Sequence, residues 1–382
     1  PLGSANLAIE RFEKENGFRL AKEQRDAVEK SMKAGIMVIT GGPGTGKTTL
    51  IRAIITAAEQ NGLEPALMAP GRAAKRLAIS SGRDADTIHK ALEASVRETG
   101  RTYFERNEAN PLEEDLIIVD EASMLDISLF YHLLCALKDG ARLILVGDID
   151  QLPPVGAGEP LKDLMSWGYV PIVRLKRIFR QEEGSGIVEN AALIRKGEMC
   201  VPDEAGEFRI VYAADDEDAY RIVMDLCREL NYGNEENKML LQVLSPMYRG
   251  VCGVDHLNES LQEMIHGEKV PDGMKFFPGD KVMQTRNDYE KGIYNGDVGT
   301  VWTATPQKVF VRYFDKEVVY EGEERFDLRL AYAVTVHKSQ GSEYETVIFI
   351  LRPSQHNMLQ RNLLYTGETR ARKNTILVTA PD

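Results

Sequence analysis

The sequence predicts an α/β protein of two or more domains, organised around a parallel sheet. Three observations predict it. Residues Gly41-Gly42-Pro43-Gly44-Thr45-Gly46-Lys47-Thr48 fit G-x-x-x-x-G-K-[ST] without a mismatch. Apolar runs of strand type alternate with helically spaced ones over residues 36–180, as parallel strands with crossover helices require. The chain has 382 residues, too many for one ordinary core.

Residues 1–4 read as a cleavage scar and residues 5–35 as a helical lead. By spacing alone, Gln24 is a surface helix residue. Residues 36–40 form a strand and residues 49–59 a helix, the context the glycine loop needs. Such a loop turns backbone N–H groups inward onto phosphate oxygens, and the helix N-terminus adds partial positive charge. Lys47 would reach the β- and γ-phosphates and Thr48 would hold Mg²⁺. Gly42, Pro43, Gly44, Thr45, Gly46 and Thr49 complete this candidate pocket for ATP.

Residues 116–119 form a second buried strand, which ends in Asp120-Glu121. Asp120 would complete the Mg²⁺ shell, and Glu121 would orient the attacking water and take its proton. A third strand, residues 142–146, runs into Gly147-Asp148-Ile149-Asp150-Gln151-Leu152-Pro153-Pro154. Ligands bind at the carboxyl ends of such strands, so Gln151 is a candidate γ-phosphate sensor. The same residues also read as a plain turn. Arg180 and Arg370 could each stabilise charge on a transferring phosphoryl group, although a single arginine is ordinarily a surface residue.

Residues 98–114 break the alternation and read as a small hairpin or a loop. Gly184 and Gly186 suggest a flexible crossing. Residues 239–244 read as a strand and residues 255–265 as a helix. Residues 280–285, 299–303 and 308–314 show strand alternation, with a tight turn at Asn295-Gly296-Asp297. Residues 346–351 and 375–379 return to buried strands. No internal repeat or low-complexity tract stands out.

No run of 18 uncharged apolar residues is present, so no membrane span is expected. No signal peptide is read. Cys135, Cys200, Cys227 and Cys252 lack metal-ligand spacing and read as reduced thiols of a cytoplasmic protein. The net charge of −12 argues against a broad basic surface for nucleic acid, but leaves room for a narrow basic channel.

Taken in order, the motifs resemble those of the RecD-like branch of superfamily 1B helicases, a group that includes the α-subunit of exonuclease V. Gln24 matches the adenine-reading glutamine motif, residues 41–48 motif I, residues 69–76 motif Ia and Thr87-Ile88-His89 the next DNA-contact motif. Residues 120–123 match motif II, residues 147–154 motif III, Phe179-Arg180-Gln181 motif IV, residues 332–343 motif V and residues 365–371 motif VI.

The resemblance implies two RecA-like P-loop lobes, with a small hairpin insert in the first and an SH3-like β-barrel insert in the second. The first lobe would be residues 36–180 with its hairpin at about 98–114. The second would be residues 181–274 and 331–382, split by a barrel at 275–330. It implies ATP-driven translocation on single-stranded DNA, 5′ to 3′, and unwinding at duplex junctions. The alternative is a motor subunit of a larger repair complex with weak activity alone. A small-molecule kinase would share only the P-loop.

By the same resemblance, Arg180 and Arg370 become γ-phosphate arginines, and Gln340, Gly341 and Glu343 face the nucleotide. Arg72, Lys75, Arg76, Thr87, His89, Thr335, His337 and Lys338 become phosphate contacts. Pro153, Pro154 and Tyr289 become surfaces for bases. The chain departs from the family pattern twice. It lacks a threonine between Pro70 and Gly71. It also has Glu368 where a small or apolar residue is usual, an acid that would either weaken the field of Arg370 or face solvent.

Overall fold

A computed structural model describes residues 5–96, 102–176, 185–288, 290–314 and 316–381. The chain divides into two compact units, Pro1–Glu183 and Gly184–Asp382.

In the first unit the strands are β1 (Ile36–Gly41), β2 (Pro65–Ala69), β3 (Asp86–Thr87), β4 (Ala94–Val96), β5 (Thr102–Phe104), β6 (Leu116–Val119), β7 (Arg142–Gly147) and β8 (Ile172–Leu175). Six of them form one sheet in the order β3-β2-β6-β7-β1-β8, with every pairing parallel. The near-continuous apolar runs of β1, β6 and β7 follow from this, because helices cover both faces. The helices are α1 (Ala5–Asn16), α2 (Lys22–Ser31), α3 (Lys47–Gln60), α4 (Ala73–Ser81), α5 (Ile88–Ala91), α6 (Ile127–Cys135) and α7 (Pro160–Trp167). Leu50, Ile51, Ile54 and Ile55 of α3 share one core with Ile9 and Phe12 of α1 and Val28 of α2. The helical lead therefore packs into the core of the first unit.

β4 and β5 pair antiparallel through Ala94↔Phe104 and Ser95↔Tyr103. This hairpin starts before the expected 98–114, and residues 97–101 lie outside the described residues. Residues 105–114 form no strand. There Asn107 and Asn110 exchange backbone hydrogen bonds of 3.1 and 3.0 Å, and their side-chain amides donate to the carbonyl of Glu105. Asparagines that satisfy backbone groups in this way favour a turn over a ladder.

The second unit has β9 (Phe208–Tyr212), β10 (Leu241–Ser245), β11 (Lys281–Gln284), β12 (Val298–Ala304), β13 (Lys308–Arg312), β14 (Glu317–Glu321), β15 (Leu328–Leu330), β16 (Ala333–Thr335), β17 (Tyr344–Ile350) and β18 (Ala371–Thr379). Its parallel sheet runs β16-β10-β17-β18-β9. The helices are α8 (Gly186–Lys196), α9 (Asp216–Glu229), α10 (Glu235–Leu240), α11 (Val254–His266), α12 (Val336–Ser339) and α13 (Arg361–Glu368). Strands β14-β13-β12-β11-β15 form an antiparallel SH3-like sheet over Phe276, Val282, Val301, Val311 and Tyr320.

Two local expectations change. Met239 and Leu240 end α10 rather than open a strand. Asn234 caps that helix by accepting from the Glu236 N–H at 2.8 Å, and Met239 and Leu240 are each 43% exposed. Gly186, expected in a crossing, begins α8. Its N–H donates to Glu207 at 3.0 Å, and any Cβ there would collide with Asp203.

A buried polar network ties the SH3-like sheet to the parallel sheet of its unit. Lys281, 1% exposed, donates to the Leu241 carbonyl (3.0 Å) and to Gln242 Oε1 (2.9 Å). Its neighbour Asp280 accepts from the Tyr332 hydroxyl (2.8 Å) and the Phe277 N–H (2.7 Å).

Candidate nucleotide and nucleic-acid site

The loop after β1 takes its shape from Gly44 and Gly46, at φ 70° and 76° in the left-handed region that favours glycine. Gly46 caps α3, so the helix N-terminus opens at Lys47. The Thr45 hydroxyl donates to the Gly42 carbonyl at 2.8 Å. The Lys47 ammonium donates to the carbonyls of Gly41 (2.7 Å) and Gly42 (2.8 Å), which holds its charge over the loop. Gln24 is 1% exposed, which corrects its reading as a surface residue. Its Oε1 accepts from the Ala21 N–H (3.0 Å), and its Nε2 donates to the Gly46 carbonyl (3.3 Å). The glutamine thus ties α2 to the phosphate loop.

β6, β7 and β1 are neighbours and parallel, so the segments after them converge at one edge of the sheet. There lie Asp120-Glu121, Gln151 and the Lys47 loop. Asp120 is buried, and desolvation pushes its carboxyl up to about 6. The neighbouring Glu121 adds to this rise, while Arg76 and Lys47 oppose it. A desolvated carboxylate beside a hydroxyl-bearing phosphate loop suits a divalent cation that keeps most of its shell from phosphates and water. Among the described residues no group of three or more His, Cys, Asp or Glu is placed to hold a metal. Glu121 has φ 53°, and its Oε1 accepts from the Arg76 guanidinium at 2.5 Å. Gln151 Oε1 and Ser123 Oγ are buried without a hydrogen-bond partner among the described residues, in a small recess that Pro153 and Pro154 also line. Arg180 lies outside the described residues.

In the second unit, the segment after α12 and the start of β18 bring Gln340, Gly341, Glu343 and Arg370 to the amino ends of β17 and β18. Gly341 has φ 75°, and Gln340 is buried. Glu343 is exposed and lies 3.9 Å from Arg372. Arg370 is 3% exposed, and it donates to the carbonyls of Thr366 and Ser342, both at 3.1 Å. Glu368 does not face solvent. It is 0% exposed, and both carboxyl oxygens lack a partner among the described residues. Burial pushes its carboxyl well up, against the pull of Arg370.

The candidate DNA contacts fall into three groups. Arg72 caps α4, and Lys75 and Arg76 follow on that helix. The second and third groups match each other. Thr87-Ile88-His89-Lys90 starts on the last residue of the edge strand β3, and Thr335-Val336-His337-Lys338 on the last residue of the edge strand β16. The likeness spans four residues, and it adds Lys90 to the candidates, which the sequence reading missed. Four residues are too few to stand out until both are seen at an edge strand. Burial lowers the pKa of His89 and of His337, so both are neutral at neutral pH. The His89 ring packs beside Phe104, 5.9 Å between centroids. Lys338 donates to Asn295 Oδ1 (2.6 Å), in the tight turn of the SH3-like sheet. Tyr289 lies outside the described residues.

Family models match three parts of the chain. An AAA domain covers residues 24–157, the SH3 domain of ATP-dependent RecD-like DNA helicases 257–313, and a UvrD-like helicase C-terminal domain 330–378. The ATP-dependent RecD2 DNA helicase of Deinococcus radiodurans is 39% identical, over 92% of this chain and 48% of its own length. The RecBCD enzyme subunit RecD of Mycolicibacterium smegmatis is 33% identical, over 94% of this chain and 71% of its own. This chain belongs to the RecD-like helicase family. It spans about half the length of the Deinococcus relative. Its fold is also that of solved Pif1 helicases. Bacteroides Pif1 bound to ssDNA gives a TM-score of 0.57 at 21% identity, covering 94% of this chain and 92% of that one. Pif1 from Candida albicans gives 0.57 at 20%, covering 94% of each. In this RecD-like chain no helix among the described residues is long and apolar enough to cross a membrane.

Proposed function

We propose that this chain is an ATP-driven motor that moves 5′ to 3′ on single-stranded DNA and unwinds duplex. The observation that carries the reading is the convergence of the Lys47 loop, Asp120-Glu121 and Gln151 at one edge of a parallel sheet. The family's remaining motifs follow in order along the rest of the chain. Lys47 and the loop N–H groups bind the phosphates, while Thr48 and Asp120 hold Mg²⁺. Bound there, Mg²⁺ neutralises charge on the β- and γ-phosphates. Glu121 orients the attacking water and accepts its proton. Gln151 stands at the γ-phosphate end of the site, where its Nε2 donates to a phosphate oxygen and its buried Oε1 accepts from the attacking water. Arg180 and Arg370 stabilise charge on the transferring group. Gln24, Gln340, Gly341 and Glu343 contact the nucleotide.

On the DNA side, Arg72, Lys75, Thr87, His89, Thr335, His337 and Lys338 meet phosphates and sugars. Pro153, Pro154 and Tyr289 meet bases. The polarity rests on family membership. A second reading, a motor subunit of a larger repair assembly, is favoured by relatives named as RecBCD subunits.

The test is ATP hydrolysis with and without single-stranded DNA, followed by unwinding of duplexes with a 5′ or a 3′ tail. The reading expects stimulation by DNA and unwinding only from the 5′ tail. Hydrolysis stimulated by DNA without unwinding favours the subunit reading. If Lys47→Ala keeps full DNA-stimulated hydrolysis, the motor reading fails.

A further inference from the structure

We infer that Arg76 is a brake on Glu121, released when DNA binds α4. The inference rests on the motor reading above. The Arg76 guanidinium donates to Glu121 Oε1 at 2.5 Å, the two side chains being 25% and 9% exposed. A carboxylate oxygen already held by a guanidinium has less of its acceptor capacity left to orient a water. Glu121 also has a left-handed backbone, at φ 53°, which a non-glycine residue adopts at a cost.

Arg76 comes from α4, whose first turns carry three cations. Arg72, Lys75 and Arg76 are spaced i, i+3, i+4, which places them on one side of the helix. α4 follows β2, and β2 pairs with β6, the strand that ends in Asp120. One helix thus presents cations to a polyanion and lends one of them to the catalytic carboxylate. A phosphodiester backbone on Arg72 and Lys75 competes for the guanidinium of Arg76. The exchange replaces one anionic partner by another, so it costs little, and it takes the guanidinium off Glu121 Oε1, where the carboxylate can then engage water. Arg76 is a positioning residue in this scheme, because it acts through Glu121.

The experiment measures kcat and KM for ATP with and without an oligo-dT strand, for the parent chain, Arg76→Gln and Arg76→Lys. Arg76→Gln should raise the DNA-free kcat by about 5-fold or more with KM unchanged, so that stimulation by DNA shrinks. Arg76→Lys keeps a cation on α4 and should return the low DNA-free rate. If Arg76→Gln leaves the DNA-free kcat at or below the parent value with stimulation intact, Arg76 merely supports Glu121 and the brake is wrong. If Arg76→Lys is as fast without DNA as Arg76→Gln, the cation is not what restrains Glu121. If the parent chain is not stimulated by DNA, the motor reading falls and takes the brake with it.

Discussion

Thr87 and Thr335 hold equivalent posts in separate units. Each ends an edge strand, and each caps a single helical turn, Thr87 accepting from the Lys90 N–H at 3.1 Å and Thr335 from the Lys338 N–H at 3.2 Å. Each cap fixes where the following histidine and lysine are presented. Lys90→Ala and Lys338→Ala should each weaken binding to single-stranded DNA. Each should lower the slope of log affinity against log salt by about 0.7, the value for one lost phosphate contact on a single strand. Anisotropy of a labelled oligo-dT across a salt series measures this. Slopes equal to the parent's would remove these lysines from the DNA surface.

Gly41 admits no side chain. A Cβ there would lie 2.5 Å from Thr45 Oγ1, 3.0 Å from Leu175 Cβ and 3.2 Å from the Leu175 carbonyl. The hydroxyl could turn away, but β8 backbone cannot. Gly41→Ala should therefore cost about 1–3 kcal/mol and raise KM for ATP, since the Thr45–Gly42 bond shapes the loop. Urea unfolding together with ATP titration checks both effects. Parental stability would show that β8 yields more easily than its pairing with β1 suggests.

The parts of the fold that were legible in sequence share one property: their signal is local. β1, β6 and β7 are continuous apolar runs because both faces are buried, and the glycine loop needs its own residues to bend. What stayed hidden depends on distant partners. Gln24 looks like any helix-surface glutamine until the Gly46 carbonyl lies against it. The Arg76–Glu121 pair joins residues 45 positions apart. β15 is three residues long, too short for alternation to register. Met239 and Leu240 read as the start of β10 because apolar residues ending a short helix and opening a strand look alike.

Lys281 shows how a buried charge can be structural. Its ammonium supplies the Leu241 carbonyl and Gln242 Oε1, and it lies 5.5 Å from the ring centroids of Tyr232 and Tyr344. Lys281→Met preserves much of the volume but strips both acceptors of this donor. The loss should be about 2–4 kcal/mol, with the SH3-like sheet loosened from the parallel sheet of its unit. Hydrogen exchange at the β10 and β11 amides, alongside the urea midpoint, would show it. Unchanged protection and midpoint would mean that the acceptors find other donors.

Glu368 gives the sharpest dependence on pH. It ends α13 fully buried, with neither carboxyl oxygen partnered among the described residues, where the charged or titratable groups that bear on it are Arg370 and Cys200. Desolvation raises its folded pKa well above the ordinary 4.5. The folded chain therefore keeps a proton that the unfolded chain releases above that value. By linkage, stability falls as pH rises from 4.5 towards the raised folded value, and the penalty is absent below 4.5. Glu368→Gln cannot ionise, so its advantage over the parent should be small near about pH 5 and grow by about pH 8. Glu368→Leu should stabilise at neutral pH by about 1–4 kcal/mol, as apolar replacements of buried charged groups do. Urea midpoints of the parent and both variants at the two pH values decide the matter. An advantage for Glu368→Gln that stays constant with pH would mean that the carboxyl finds a compensating partner when it ionises. An advantage that grows would identify Glu368 as an acid kept neutral by burial, two residues from the arginine of motif VI.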